Sequence, residues 1–239
     1  MRKLLALVGV LLVLVVVDRV AVGVAEGQIA SRVQTSQMLA TKPKVDIAGF
    51  PFLTQVARGR YKQVTIDVSG LTRDDLRLDE IRIVAEGVRV DTGDLLSGTV
   101  NSVPVDHARG SVLLSYADLN DYLAKRIDVA KVAVSRGGSS NLKVTGSVEV
   151  PVLGRAVSLS GDARVEIEGE NITLLPTSVS AVTGLLPGFA QGSAQEALTV
   201  RFALKGLPFG VRLGDAILTD DGIRIAVTGD GLTLDTRQQ

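Results

Sequence analysis

The sequence predicts a β-dominated α+β fold in which long, strongly curved antiparallel strands carry an N-terminal helix and one or two short helices. Three observations lead there. Hydrophobic residues recur at every second position from Lys44 to about Leu234, the period of strands with one buried and one wet face. The longest such run sets small residues on its apolar side. Ahead of Lys44 the apolar spacing is three to four, which is helical.

The chain opens MRKLLALVGVLLVLVVVDR, with Arg2 and Lys3 before an unbroken apolar run from Leu4 to Val17. Fourteen residues suit the core of an export signal better than the roughly 20 needed to cross a bilayer. Apolarity resumes at Val20 after Asp18 and Arg19, however, so residues 1–25 read as a signal peptide or a membrane anchor and residues 26–239 as one β-rich domain. In both cases the basic pair stays cytoplasmic and everything downstream is exported, then held at the membrane or released. Gly23 to Ala25 offers small residues for cleavage, but Val22, Ala25, Ile29 and Val33 continue a helical face that a cut after Ala25 would trim. That favours a retained anchor, with the helix from Asp18 to Ala40 packed on the strands.

Among the strands, Val64, Ile66 and Val68 alternate with Thr65 and Asp67, Ile81 and Ile83 flank Arg82, and Val88 and Val90 flank Arg89. Further on, Leu142, Val144, Gly146, Val148 and Val150 oppose Lys143, Thr145, Ser147 and Glu149. The run VSLSGDARVEIE turns Val157, Leu159, Gly161, Ala163, Val165 and Ile167 to one side. At ~3.3 Å per residue it reaches about 40 Å, long for a closely packed sandwich. Gly161 and Ala163 predict open space beside it, or a bend.

Helices are few. Pro51 and Gly59 bracket a short one from about Phe52 to Arg58. Ser115, with Asp118 three residues later in capping-box position, starts a second with Leu119, Tyr122 and Leu123 on its packed face. A third falls between Leu185 and Leu198, weakened by Gly188 and Gly192. The pairs Asp74–Asp75 and Asp220–Asp221 read as turns. GFPFLTQVARGRYKQVTID is echoed by GLPFGVRLGDAILTDDGIRIAV from Gly206, as two related β units joined end to end would produce.

Composition excludes more than it identifies. Basic and acidic residues balance at 26 each, so no global field recruits nucleic acid, and aromatic residues are only 3%. The absence of cysteine removes disulfides, thiolate catalysis, Cys-rich zinc sites and lipidation at cysteine. His107, the single histidine, sits in VPVDHARGS, which reads as an exposed turn. No nucleophile elbow, phosphate loop, dinucleotide fingerprint or zinc-protease motif is present, so neither a catalytic residue nor a cofactor is expected and the chain reads as a non-enzyme.

What remains is a set of apolar, proline-bearing tips: GFPFL at 49–53, LLPGF at 185–189 and LPFG at 207–210. Bulky apolar residues on loops mark contact with membrane, ligand or partner, unless they fold back into the core. The first tip leads directly to Arg58, Arg60 and Lys62, which on pattern alone also suit a solvated face.

From Asp18 onward the chain resembles the LmeA family (lipomannan elongation factor A) of actinobacterial envelope proteins. The resemblance lies in IAGFPFLTQVARGRYKQVTIDVSGL, VPVDHARGSVLLSYADLNDYL and LPFGVRLGDAILTDDGIRIAVTG. It is most specific at GxPFLTQ with its following Gly and Tyr, and at LPFGV with its DGI strand. It implies an elongated β fold of the tubular lipid-binding kind, phospholipid binding, and a part in maturing mannose-bearing lipoglycans outside the plasma membrane. On that implication Phe50, Phe52, Leu53, Leu185, Leu186, Phe189, Leu207 and Phe209 would meet acyl chains, and Arg58, Arg60 and Lys62 the headgroup phosphate. The expected partners are phospholipid, the outer face of the plasma membrane and a mannosyltransferase. The alternative is an envelope scaffold that binds a glycosyltransferase through the same tips over a fully packed core.

Overall fold

The computed structural model describes residues 1–91, 93–94, 100, 102–126, 132–138, 141–150, 155–182, 188, 191–204 and 210–235. Among these residues two antiparallel sheets account for the period-two pattern. The first joins β1 (Lys44–Ala48), β2 (Arg60–Arg73), β3 (Leu76–Arg89), β4 (Ser102–Ser115), β11 (Arg212–Leu218) and β12 (Gly222–Asp235) in the order β1-β2-β3-β4-β12-β11. The second joins β5 (Ala133–Arg136), β6 (Leu142–Val150), β7 (Arg155–Glu168), β8 (Asn171–Pro176) and β10 (Val200–Ala203), with the short β9 (Ser180–Ala181) on the edge of β7. Helices α1 (Arg2–Ser36), α2 (Phe52–Arg58), α3 (Tyr116–Arg126) and α4 (Gln191–Leu198) complete the fold. Both sheets are curved and neither closes on itself, as the strand pattern predicts.

The echo between the Gly49 and Gly206 stretches does not mark units joined end to end. Strand β12 pairs with β4 from Gly222 opposite Ser115 to Asp235 opposite Ser102, so strands from the two ends of the chain share one sheet and the middle of the chain builds the other. Helix α3 joins them. Leu119 and Leu123 are buried, Tyr122 meets Phe202 edge-on with ring centres 6.1 Å apart, and Asn120 exchanges hydrogen bonds with the backbone of Val134 at 2.7 and 2.9 Å, standing in for a neighbouring strand on β5. The capping box forms: the Asp118 amide donates to Ser115 Oγ at 3.1 Å.

On the apolar side of β7 Gly161 and Ala163 are buried, and the depression that Gly161 borders opens on the polar β5–β7 surface instead. A Cβ at Gly161 would lie 2.1 Å from the Ser178 carbonyl oxygen, so the glycine admits the chain between β8 and β9, and Ala163 is fully buried in the core. Small side chains here serve close packing.

The outer face of the first sheet is laced with ion pairs, Arg82 to Asp67 at 2.6 Å and Arg109 to Glu86 at 2.7 Å among them. His107 belongs to this face, within β4 and not in a turn; its polar, glycine-bearing neighbours alternate across a strand. Its Nδ1 lies 2.7 Å from Asp230 Oδ1, and this hydrogen bond to a carboxylate raises its pKa above the ordinary value of about 6.5. The small stability it contributes is therefore present below about pH 6.5 and is lost as pH rises through the raised value. Proton NMR of this sole histidine is expected to show the raised pKa, and Asp230→Asn to return it toward about 6.5. An unchanged titration in the variant would remove the ion pair from the account.

Candidate functional site

The first sheet changes its buried side partway along. On β3 Ile81 and Ile83 point into the core, but further on Val88 does, a change from odd to even positions. The same reversal takes β2 from Ile66 to Tyr61, β4 from Ala108 to Val105, and β12 from Val227 to the half-buried Leu232. Pair registers put Lys62, Gly87, Asp106 and Gly231 in one row across the four strands at the point of reversal. Gly87 and Gly231 have φ of 64° and 59°, the left-handed conformation that turns the following side chains over while the strand registers stay unshifted. Gly87 serves a close approach as well, since a Cβ there would collide with the Asp106 carboxylate at 2.2 Å.

Beyond this row the sheet forks. Among the described residues, the pairing of β3 with β4 ends at Glu86 opposite His107, while β2 stays paired with β3 to Arg60 opposite Arg89 and β4 with β12 to Ser102 opposite Asp235. Val88 and Val90 lie on one prong, and Val103, Val105 and Leu232 on the other. Val88 and Val105 are buried; Val90, Val103 and Leu232 are only partly covered. The Arg89–Asp106 ion pair, 2.7 Å, ties the prongs at the reversal.

Helix α2 sits against the β2 prong with the predicted bounds, ended by Gly59 at φ 61° with its amide donating to the Val56 carbonyl. Its apolar side chains divide. Phe50 is 63% exposed and Leu53 41%, whereas Phe52 is 4% exposed and packs on Tyr61 with ring centres 6.1 Å apart. The expectation of three tip residues is corrected here: Phe52 points inward beneath the tip, because the first helical turn sends it toward β2 while its neighbours face out. Arg58, Arg60 and Lys62 are exposed as expected, and among the described residues none pairs with a carboxylate. Arg60 stands directly opposite Arg89, whose charge the Asp106 carboxylate already meets.

The sequence did not single out what holds this tip. Asp18, 2% exposed, accepts a hydrogen bond from the Leu53 amide at 2.8 Å, capping α2 from another helix where Pro51 offers no side-chain cap. Arg19 pairs with Asp18 at 2.6 Å and lies 5.2 Å from the centre of the Phe50 ring. An acid after an apolar run signals a boundary, and nothing local reveals that it reaches a helix thirty-odd residues away. The reversal did carry a sequence signal, the change of parity between Ile81–Ile83 and Val88–Val90 around Gly87.

Other expected contacts, Leu185, Leu186, Phe189, Leu207 and Phe209, lie outside the described residues. A second depression, on the β5–β7 surface, is lined by Arg136, Lys143, Ser160, Asp162, Ser178 and Ser180 and suits polar groups, not acyl chains. Among the described residues no group of three or more acidic or histidine side chains is placed to hold a metal ion.

A fork with apolar prongs, a greasy tip and exposed cations gains its meaning from comparison. The model of the LmeA-like phospholipid-binding family matches residues 16–228. The chain belongs to that family. No curated protein and no solved structure matches it. The matched span of this LmeA-like chain begins ahead of Asp18 and so takes in the cap of α2. Helix α1, 35 residues with a mean hydropathy of 2.7 over its most apolar window, is long and apolar enough to cross a membrane by length and composition.

Proposed function

We propose that this chain is an exported phospholipid-binding protein of the cell envelope that supports lipoglycan (lipomannan) maturation by holding a phospholipid at the outer face of the plasma membrane. The observation that carries this reading is the juxtaposition, in a chain of a phospholipid-binding family, of the exposed Phe50 and Leu53 with the exposed Arg58, Arg60 and Lys62, which meet no carboxylate among the described residues, beside the fork. Acyl chains rest on the fork, along Val90, Val103 and Leu232, with Phe50 and Leu53 at its mouth. Leu185, Leu186, Phe189, Leu207 and Phe209 supply further apolar contacts. Each methylene removed from water contributes about 0.8 kcal/mol, so hydrocarbon supplies affinity and the cations need only orient the phosphate. Arg suits that role through its planar fork of donors. The chain binds and presents lipid without transforming it, and a mannosyltransferase is the partner that would use the result.

Mass spectrometry of lipid co-purifying with the protein from envelope membranes is the test. About one phospholipid per chain is expected, reduced by Val103→Glu. A protein that carries no phospholipid, yet retains a glycosyltransferase, would replace this reading with the scaffold.

A further inference from the structure

Helix α1 runs without a break from Arg2 to Ser36, and its two halves live in different surroundings. From Leu4 to Val17 every large apolar side chain is exposed. From Asp18 onward the helix is fastened to the β domain along its length. Asp18 caps α2, Glu26 Oε1 accepts the Ile47 amide of edge strand β1 at 2.9 Å, and Gln37 just past the helix end accepts from Arg73 Nη2 at 2.7 Å. Val22 and Ala30 are buried between these points. The helix closes the open edge of β1 and leaves no hinge between apolar half and domain.

Length then fixes depth. At 1.5 Å per residue, Leu4 to Val17 spans only about 21 Å of a hydrocarbon layer about 30 Å thick. The remaining ~9 Å must come from the next turn and a half, where Val20 and Val24 are 61% and 55% exposed on the side away from the domain. Asp18 opens that last stretch, so it, the α2 start it caps and Phe50 beside Arg19 lie up to about 9 Å inside the outer edge of the hydrocarbon layer.

We propose that α1 is a retained part of the folded protein and not a removable leader, and that it seats the Phe50–Leu53 tip in the outer acyl layer, just beneath the headgroups, of the bilayer it crosses. The partner of this surface is that bilayer. Arg19 reaches from the helix toward phosphates while the Phe50 ring beneath it meets acyl carbons, the usual arrangement of such pairs at an interface. Since no hinge intervenes, the domain stands upright with its Arg73 end in water and takes lipid from its own membrane, not as a free shuttle. These contacts stand independently of whether phospholipid fills the fork.

The chain lacks cysteine, so single labels are clean. The full chain would be recovered from membranes for intact mass, then spin-labelled at Phe50→Cys, Thr54→Cys or Thr72→Cys in vesicles of phosphatidylglycerol and phosphatidylethanolamine. Residues 1–25 are expected to be present. Labels at 50 and 54 are expected to be relaxed more strongly by oxygen than by a water-soluble nickel complex, and the label at 72 the reverse. A mature mass beginning at Glu26, or aqueous behaviour at both 50 and 54, would overturn the proposal. Loss of co-purifying lipid with these results intact would count against the fork alone.

Discussion

Phe52→Asp is expected to abolish the cooperative fold, while Phe50→Asp, two residues away, leaves it intact. Phe52 is 4% exposed and packs on Tyr61 in the segment where the first sheet has reversed its buried side. A carboxylate there replaces the aromatic contact and places a charge against Tyr61 at a buried position. Loss of a buried aromatic alone costs about 3–5 kcal/mol, and the buried charge adds to it. Against a total of roughly 5–15 kcal/mol for a folded domain, little or nothing is left. Phe50, at 63% exposure, buries little, so its substitution shifts stability by about 0.5 kcal/mol or less but removes apolar contact at the tip. Thermal melts followed by circular dichroism in detergent decide the matter. A Phe52→Asp protein that melts like the parent would return Phe52 to the exposed tip.

That division within one five-residue stretch illustrates what was legible. Local chemistry was: Gly59 ends α2 where only a left-handed residue fits, Ser115 and Asp118 start α3, and Asp74 and Asp75 take positive φ at the β2–β3 turn. Alternation gave the strands because side-chain period follows from backbone geometry alone. What alternation could not give is which elements meet. The pairing of β12 with β4 spans over a hundred residues and leaves no local trace, so a short echo between two stretches says nothing of which strands share a sheet. Phe52 looked like its neighbours because exposure within a single helical turn depends on what lies beneath it. Asp18 acts through a contact with α2 that no periodicity encodes.

The second large effect is expected at the cations. In Arg58→Glu/Arg60→Glu, affinity for phosphatidylglycerol at low salt is expected to fall by about a hundredfold or more. Each charge-assisted hydrogen bond to phosphate is worth about 1.5 kcal/mol at the weaker end, and two reversals remove both and add repulsion. The fold is expected to survive, since both side chains are exposed and neither pairs with a carboxylate among the described residues. At position 60 the introduced carboxylate would face Arg89 across the ladder, beside the Asp106 that already pairs it, and so meets no buried group. Salt supplies the control, because screening weakens contacts at an exposed rim far more than burial of acyl chains. The gap between parent and variant should therefore narrow at high salt, and Phe50→Asp should lower affinity at every salt concentration. A folded double variant that binds phosphatidylglycerol as tightly as the parent at low salt would show that Arg58 and Arg60 are an ordinary solvated surface, and would leave the headgroup without its proposed seat.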